Sequence, residues 1–169
     1  MKININLSKS SIEKAIKQLE AYRDSLNDKN LEFVTKLGQL GIPVINQLTD
    51  SADGDSNKTH STMITYSHKG NGAWQATLSV SGKDILFIEF GSGIYYNPSD
   101  PEHAKEFGYG VGTYPGQTHA FDPNGWWYRD EFNEPHHSHG TRATSPMLNA
   151  SRTIIMEIRR IAREVYGSN

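Results

Sequence analysis

The fold is decided by the stretch Asp84-Ile-Leu-Phe-Ile-Glu-Phe-Gly-Ser-Gly93, the most apolar run outside the terminal helical segments. A short run that is β-branched and aromatic and stops at glycines is typical of a buried strand leading into a tight turn. Alternation along such a strand places Leu86, Ile88 and Phe90 on the core face and Glu89 on the other. Since an unpaired buried carboxylate costs several kcal/mol, Glu89 is expected to face outward or to have a partner.

The residues before this stretch predict an antiparallel meander. Lys69-Gly-Asn-Gly72 is a strong hairpin turn, because Asn-Gly supplies the two positive φ angles that a two-residue loop requires. It joins predicted strands at Ser61–His68 and Ala73–Val80. A second short turn at Ser81-Gly-Lys83 then leads into Asp84–Phe90, the third strand.

The N-terminal third is predicted to be mainly helical. Lys2–Leu7 alternates and indicates a short edge strand, after which Ser10 or Ser11 is a suitable helix cap. Asparagine and aspartate at residues 27–30 predict a break, with a second helix beginning near Lys29. A kink or an early end is expected at Pro43.

The last element is predicted to be an amphipathic helix. Thr144 or Ser145 caps it, Pro146 occupies its first position and Gly167 ends it. Its apolar stripe comprises Leu148, Ser151, Ile154, Ile155, Ile158, Ile161, Ala162 and Val165.

Residues 94–135 form a long insertion rich in Gly, Pro, Tyr and Trp. Within it, Trp126–Asp130 predicts a strand that rejoins the sheet. The insertion is either an extended arm that buries its aromatic residues against a neighbouring molecule or an ordered loop over its own sheet. The candidate interface residues are Tyr95, Tyr96, Tyr109, Tyr114, Trp126, Trp127 and Tyr128.

Composition narrows the class of protein. The chain has 169 residues, and we expect one α+β domain over 1–169, with a small antiparallel sheet packed against N-terminal helices and a long C-terminal helix. The absence of cysteine excludes disulfides and thiolate catalysis. A net charge of −2 does not favour nucleic acid or membrane partners. The apolar fraction of 36% is low, which indicates long loops or a core completed by neighbouring subunits.

The best candidate for metal chemistry is the cluster His136, His137 and His139. Successive side chains of an extended run point to opposite faces, so at most two of the three converge easily. The sequence has no His-Glu-x-x-His helix and no nucleophile or acid–base pair in a recognisable frame. We therefore expect no enzyme activity, no cofactor and no resident metal, and we expect incidental affinity for nickel instead.

Three segments, taken in order, resemble a known family. They are Ile88-Glu-Phe-Gly-Ser-Gly93, Gly125-Trp-Trp-Tyr128 and His139-Gly-Thr-Arg-Ala-Thr-Ser-Pro-Met-Leu-Asn-Ala150. The chain is similar to the HK97 gp10-like family of tailed-phage and prophage morphogenesis proteins. That family is marked by a strand ending in Glu-Phe-Gly-Thr/Ser-Gly and by a Gly-Thr-x-Ala-x-x-Pro-Met/Phe segment that opens the last helix. The matching motif residues are Glu89, Phe90, Gly91, Gly93, Gly140, Thr141, Arg142 and Pro146.

The resemblance implies a structural role at the head–tail junction, as a neck, tail-completion or tail-terminator component. Such proteins assemble into homo-oligomeric rings and contact other neck and tail proteins, in the virion or in the host cytoplasm during assembly. No membrane or sequence-specific nucleic-acid partner is implied. Glu89 is then expected to anchor the turn by pairing with Arg142 or with backbone amides before the final helix.

Two alternatives stay open at this point. One is a small metal-dependent hydrolase that uses the histidine cluster, although neither ligand spacing nor a nucleophile supports it. The other is a monomeric protein that binds a host protein through the aromatic loop. It differs from the ring hypothesis because it predicts a monomer in isolation and a one-to-one complex.

Overall fold

The computed structural model describes residues 6–52, 60–82, 84–96, 101–107, 121–130 and 132–167. The fold is α+β, as the sequence predicts. In chain order the elements are helix α1 (Lys9–Ala52), strands β1 (Ser61–Gly70) and β2 (Ala73–Ser81), helix α2 (Ile85–Phe90), a 3-10 turn (Gly93–Tyr95), helix α3 (Pro101–Glu106), strands β3 (Trp126–Arg129) and β4 (Pro135–Ser138), and helix α4 (Pro146–Tyr166).

Helix α1 is continuous, so the predicted break at residues 27–30 is wrong. The asparagines there form tertiary hydrogen bonds that outweigh their weak helix propensity. Asn27 Oδ1 accepts a hydrogen bond from Trp74 Nε1 at 3.0 Å. Asn30 donates to the Gly72 carbonyl at 2.8 Å and accepts from the Tyr166 hydroxyl at 2.7 Å. These bonds tie the middle of α1 to the β1–β2 hairpin and to α4.

Helix α1 also runs through Pro43, so the predicted early end is absent. Proline removes one helical hydrogen bond and crowds the preceding turn. Beyond it, the side chain of Ile45 is completely buried. Burial of this face compensates for the proline and lets the helix continue to Ala52. Of the predicted N-terminal strand Lys2–Leu7, only residues 6 and 7 lie in the described part, and they are irregular.

The chain divides into two compact units. The first comprises residues 1–39, 64–78 and 154–169, and the second comprises residues 40–63 and 79–153. Helix α1, the β1–β2 hairpin and α4 each contribute residues to both. One domain over residues 1–169 stays a prediction.

In the first unit, the β1–β2 hairpin and the end of α4 both pack against α1. Gly38 allows Ile64 to approach closely, since a Cβ at position 38 would lie 2.1 Å from the Ile64 Cδ1 atom. The rings of Phe33 and Tyr166 are 5.6 Å apart between centroids. Lys36 of α1 forms a 2.6 Å ion pair with Glu164 of α4. Aromatic packing, the hydrogen bond from Tyr166 to Asn30 and this ion pair therefore hold the end of α4 against α1.

The β1–β2 hairpin turns at Asn71 and Gly72, whose φ angles are 51° and 74°. This confirms the turn predicted from Asn-Gly. The predicted third strand is wrong, because residues 85–90 form the short helix α2. A run of six mostly apolar residues has no period that separates strand from helix. The end of α2 is instead fixed by the hydrogen bonds of Ile88 and Glu89 to residues at the start of α4.

Strands β3 and β4 form a separate two-stranded antiparallel sheet, in which Trp127 lies opposite His137 and Tyr128 opposite His136. The strand predicted at Trp126–Asp130 is confirmed over Trp126–Arg129. Its predicted return to the first sheet is wrong, because β3 pairs locally with the next strand. Asn133, with a φ of 65°, and hydrogen bonds around Asp130 close the intervening turn.

Helix α4 begins at Pro146 and ends at Tyr166, with the Gly167 amide bonded to the Arg163 carbonyl, as the sequence predicts. The predicted cap by Thr144 or Ser145 is wrong, because their hydroxyls donate to the carbonyls of Leu48 and Glu89 instead. Its buried residues are Pro146, Ala150, Ile161 and Val165. Three residues of the predicted apolar stripe, Ser151, Ile155 and Ile158, are exposed instead. Within the described ranges, no helix has both the length and the hydropathy needed to cross a bilayer.

Candidate functional site

The motif residues of the sequence meet within the second unit, where residues 88–93 at the end of α2 contact residues 139–148 at the start of α4; we call this contact the joint. Gly93 has a φ of 61°, and a Cβ there would lie 2.5 Å from the Trp126 ring and 2.7 Å from the His139 carbonyl oxygen. Gly140 has a φ of 103°, and its Cβ would lie 2.0 Å from the Ser92 carbonyl oxygen. Only glycine satisfies both the backbone angle and the close approach at these two positions.

Hydrogen bonds join the same two segments. The Ser92 amide donates to the Thr141 carbonyl at 2.9 Å. The Thr141 amide donates to the Ser92 hydroxyl oxygen, also at 2.9 Å. Ser92 therefore holds Thr141 with both its main chain and its side chain, which fixes the register of the two motifs.

The Glu89 carboxylate caps the first turn of α4. One oxygen accepts a hydrogen bond from the Met147 amide at 2.8 Å, and the other accepts from the Leu148 amide at 3.1 Å. Pro146, at the first helical position, has no amide proton to satisfy. The first turn of α4 contains no acidic residue, so Glu89 supplies the negative charge that the positive end of the helix dipole favours. Glu89 is only 8% exposed, and these bonds are its compensation for burial.

The backbone at the end of α2 reinforces this cap. The Ile88 carbonyl accepts hydrogen bonds from the Thr144 and Ser145 amides at 2.9 and 3.2 Å. The Ser145 hydroxyl donates to the Glu89 carbonyl at 2.9 Å. Ser145 is buried with a φ of 50°, a conformation that costs energy for a residue with a side chain. The surrounding bonds hold it in that conformation.

Two further residues anchor the joint. Phe90 is buried with Ala104 of α3, and Phe87 and Tyr96 pack against this pair. Thr144 Oγ1 donates to the Leu48 carbonyl of α1 at 3.0 Å. The joint is thus connected to α3 on one side and to the last turns of α1 on the other.

Arg142 does not pair with Glu89. Its guanidinium lies 4.4 Å above the centre of the Tyr95 ring, in a cation–π contact. Of the two partners expected for Glu89, the structure provides backbone amides, and they belong to the first turn of the last helix rather than to the segment before it.

The aromatic residues predicted to form an interface differ in how exposed they are. Tyr95, Tyr96 and Trp126 are half-buried, and Trp126 lies against Gly93. Trp127 and Tyr128 are 71% and 49% exposed. Tyr109 and Tyr114 lie outside the described residues.

The three histidines separate as their alternation predicts. His137 and His139 share one face, with ring centroids 4.9 Å apart. His136 lies on the other, stacked on Tyr128 and 3.0 Å from the Asp130 carboxylate. The pKa of Asp130 is lowered mainly by its hydrogen bond from the Glu134 amide, and also by His136 and the Phe132 amide.

Sequence reasoning singled out Glu89 but missed its partners, Met147 and Leu148, and the supporting role of Ser145. A signal was present in the absence of any acidic residue from the first turn of α4, since a helix start without a local carboxylate suits one supplied from elsewhere. The described residues contain no group of three His, Cys, Asp or Glu side chains suited to a metal ion.

Comparisons with known proteins identify no relative. A scan against protein-family models found no match, and neither the search of curated proteins nor the search of solved structures found one.

Proposed function

We propose that this protein is a structural component of the head–tail junction of a tailed bacteriophage or prophage, and that it acts by assembling into a ring. The observation that carries the proposal is the joint centred on Glu89. The two sequence segments that bear the resemblance to the phage family, 88–93 and 139–150, are far apart in the chain and bond directly to each other. Motif residues that hold two distant segments together are the residues that proteins of the same fold would have in common.

Exposed aromatic side chains on the β3–β4 hairpin support a role in assembly. Trp127 is 71% exposed and Phe132, in the turn, is 77% exposed. Large aromatic side chains are enriched at protein interfaces, where they bury much surface for little conformational entropy. In a ring, these side chains would pack against the neighbouring subunit.

Helix α1 presents a second apolar surface near its start. The exposed residues Ile12, Ile16, Leu19 and Tyr22 recur at helical spacing. The hairpin surface and the α1 surface could form the two different sides of a head-to-tail contact. Repeated head-to-tail contacts form a ring when the rotation from one subunit to the next adds up to a full turn.

The test is the mass of the untagged protein in solution, measured by light scattering over a concentration series, with electron microscopy of the same samples. A discrete hexamer or dodecamer with annular particles is the expected result. A strict monomer at every concentration would contradict autonomous ring assembly and favour the monomeric binder.

Paired variants assign the interface. Phe132→Ser and Trp127→Ser are expected to shift the assembly toward monomer. Met156→Ser, at a residue 74% exposed on α4, is the matched control for loss of an exposed apolar side chain. An assembly that survives both aromatic substitutions does not use the hairpin as its interface.

A further inference from the structure

The outward face of the β3–β4 hairpin carries two neighbouring imidazoles beside a tryptophan. Trp127 lies opposite His137 in the ladder, and directly opposite residues point to the same side of a sheet. His139 follows His137 by two residues and points the same way. The ring centroid of His137 is 4.9 Å from that of His139 and 5.0 Å from that of Trp127. All three side chains are exposed.

The position of His137 is restricted by the backbone. A Cβ on Gly125 would lie 2.8 Å from its Cε1 atom and 3.0 Å from its Nε2 atom, so the ring rests directly on the glycine. The Gly125 amide is itself bonded to the Asp122 carbonyl at 2.9 Å. A ligand held by a strand and a fixed turn loses little freedom when it binds a metal.

The third histidine of the cluster is already engaged on the opposite face. His136 Nε2 lies 3.0 Å from the Asp130 carboxylate, and its ring stacks on Tyr128 at 5.5 Å. It is therefore not available to the ion that the other two imidazoles can reach.

We propose that His137 and His139 form a two-imidazole binding site for a late first-row divalent cation. Neutral imidazole is a good ligand for copper, nickel and zinc, and affinity generally rises from nickel to copper. Two protein ligands leave the other coordination positions to water, so the site is weaker than a structural zinc site with four ligands. The expected order of affinity is copper(II) above nickel(II) and zinc(II), with no binding of magnesium or calcium, which prefer oxygen ligands.

The fluorescence of Trp127 can report metal binding at His137 and His139. A paramagnetic copper(II) ion held by His137 would lie beside the indole and quench its fluorescence. We would titrate copper(II) chloride into the untagged protein at concentrations where light scattering shows a monomer, so that no neighbouring subunit covers the hairpin, and follow tryptophan emission and calorimetric heat together. Trp127→Phe is expected to remove most of the quenching without changing the calorimetric affinity.

Substitution of either ligand tests the geometry. Loss of an outer-shell partner of a metal ligand commonly weakens metal affinity by about 10–100-fold, so His137→Ala and His139→Ala should each weaken copper binding at least about tenfold. His136→Gln is the positional control. His68→Ala is the matched control, because His68 lies 4.9 Å from Trp74 in a similar ring contact.

The outcomes separate clearly. Weakening confined to the His137 and His139 variants supports the site. Equal weakening in all four histidine variants, or none in the two ligand variants, overturns it. If a ligand variant does not fold, as judged by circular dichroism, the unaltered protein decides the question: zinc(II) should shift the imidazole proton resonances of two histidines and leave the others in place.

Discussion

The Glu89 carboxylate lies 2.8 Å from the amide nitrogen of Met147, a residue 58 positions further along the chain. Together with the bond from the Leu148 amide, this contact supplies α4 with the carboxylate cap that its own first turn lacks. It also gives the lone charge of an apolar segment the partner that its burial requires.

Glu89→Gln should therefore destabilise the protein while leaving its fold intact. The neutral amide has only one acceptor oxygen, and its NH₂ group faces the amides that Glu89 now satisfies. We expect a loss of roughly 1–3 kcal/mol in the free energy of unfolding, the range for a buried donor left without a partner. Denaturant titration measures it. Glu20→Gln, on the exposed surface of α1, is the control, and a Glu89→Gln variant as stable as this control would contradict the anchoring role.

Gly140→Ala tests the close contact between the two motifs. Its Cβ would meet the Ser92 carbonyl at 2.0 Å in addition to adopting a φ of 103°. Gly70→Ala is a matched control, because Gly70 has a φ of 87° and nothing within 4 Å of the new methyl group. The control should cost about 1–2 kcal/mol for the backbone angle alone. The Gly140 variant should lose more than about 4 kcal/mol, or fail to fold. Equal thermal midpoints would show that the steric contact is unimportant.

The ion pair between Lys36 and Glu164 predicts a dependence of stability on pH. The pKa of Glu164 is lowered chiefly by its hydrogen bond from Lys36, then by the charges of Lys36 and Arg160. A carboxyl with a lowered pKa contributes stability above its ordinary value of 4.5, and the contribution is lost as pH falls through the lowered pKa. The pKa of Lys36 is raised by hydrogen bonds to Glu164 and Glu32, so its contribution is lost only as pH rises above 10.5.

The measurement is the difference in thermal midpoint between the unaltered protein and Glu164→Gln, followed from neutral to acidic pH. The difference should be present at pH 7, shrink in added salt, and vanish at acidic pH. Glu13→Gln is the control, since its pair with Lys9 is longer, at 3.9 Å, and fully on the surface. A difference that persists when Glu164 is protonated would mean that packing, not charge, holds α4 to α1.

Arg142→Lys separates charge from stacking at the edge of the joint. Lysine keeps the positive charge but lacks the planar group that lies over Tyr95. We expect a loss of about 0.5–1 kcal/mol, typical of an exposed cation–π contact. Arg152→Lys on the exposed face of α4 should change nothing. If Arg142→Lys were also neutral, Arg142 would have no energetic role in the joint.

The sequence predicted those elements whose signals are local. Asn71-Gly72 specifies the hairpin turn, Pro146 specifies the start of α4, and alternation separates His136 from its two neighbours. In each case a few adjacent residues contain the physical information.

The failures depend on distant partners. The prediction of a strand at residues 85–90 fails for two reasons. Five apolar residues and one glutamate do not reveal their period, and the bonds of Ile88 and Glu89 to residues 144–148 leave no signal in the local sequence. The break predicted in α1 is absent because Asn27 and Asn30 bond to the hairpin and to α4. For the candidate site, the motif residues were found from the sequence, and the amides that Glu89 binds were not.

The cap on α4 has a consequence for the order in which the molecule is made. Glu89 is synthesised before residues 147 and 148, so its carboxylate has no helix to cap at first. The β1–β2 hairpin is local and can form before the cap does. The joint closes a loop of more than fifty residues, so we expect it to form later in folding than the local hairpin. Interactions that form after the transition state act mainly on the unfolding rate, so we expect loss of the cap to speed unfolding more than it slows folding.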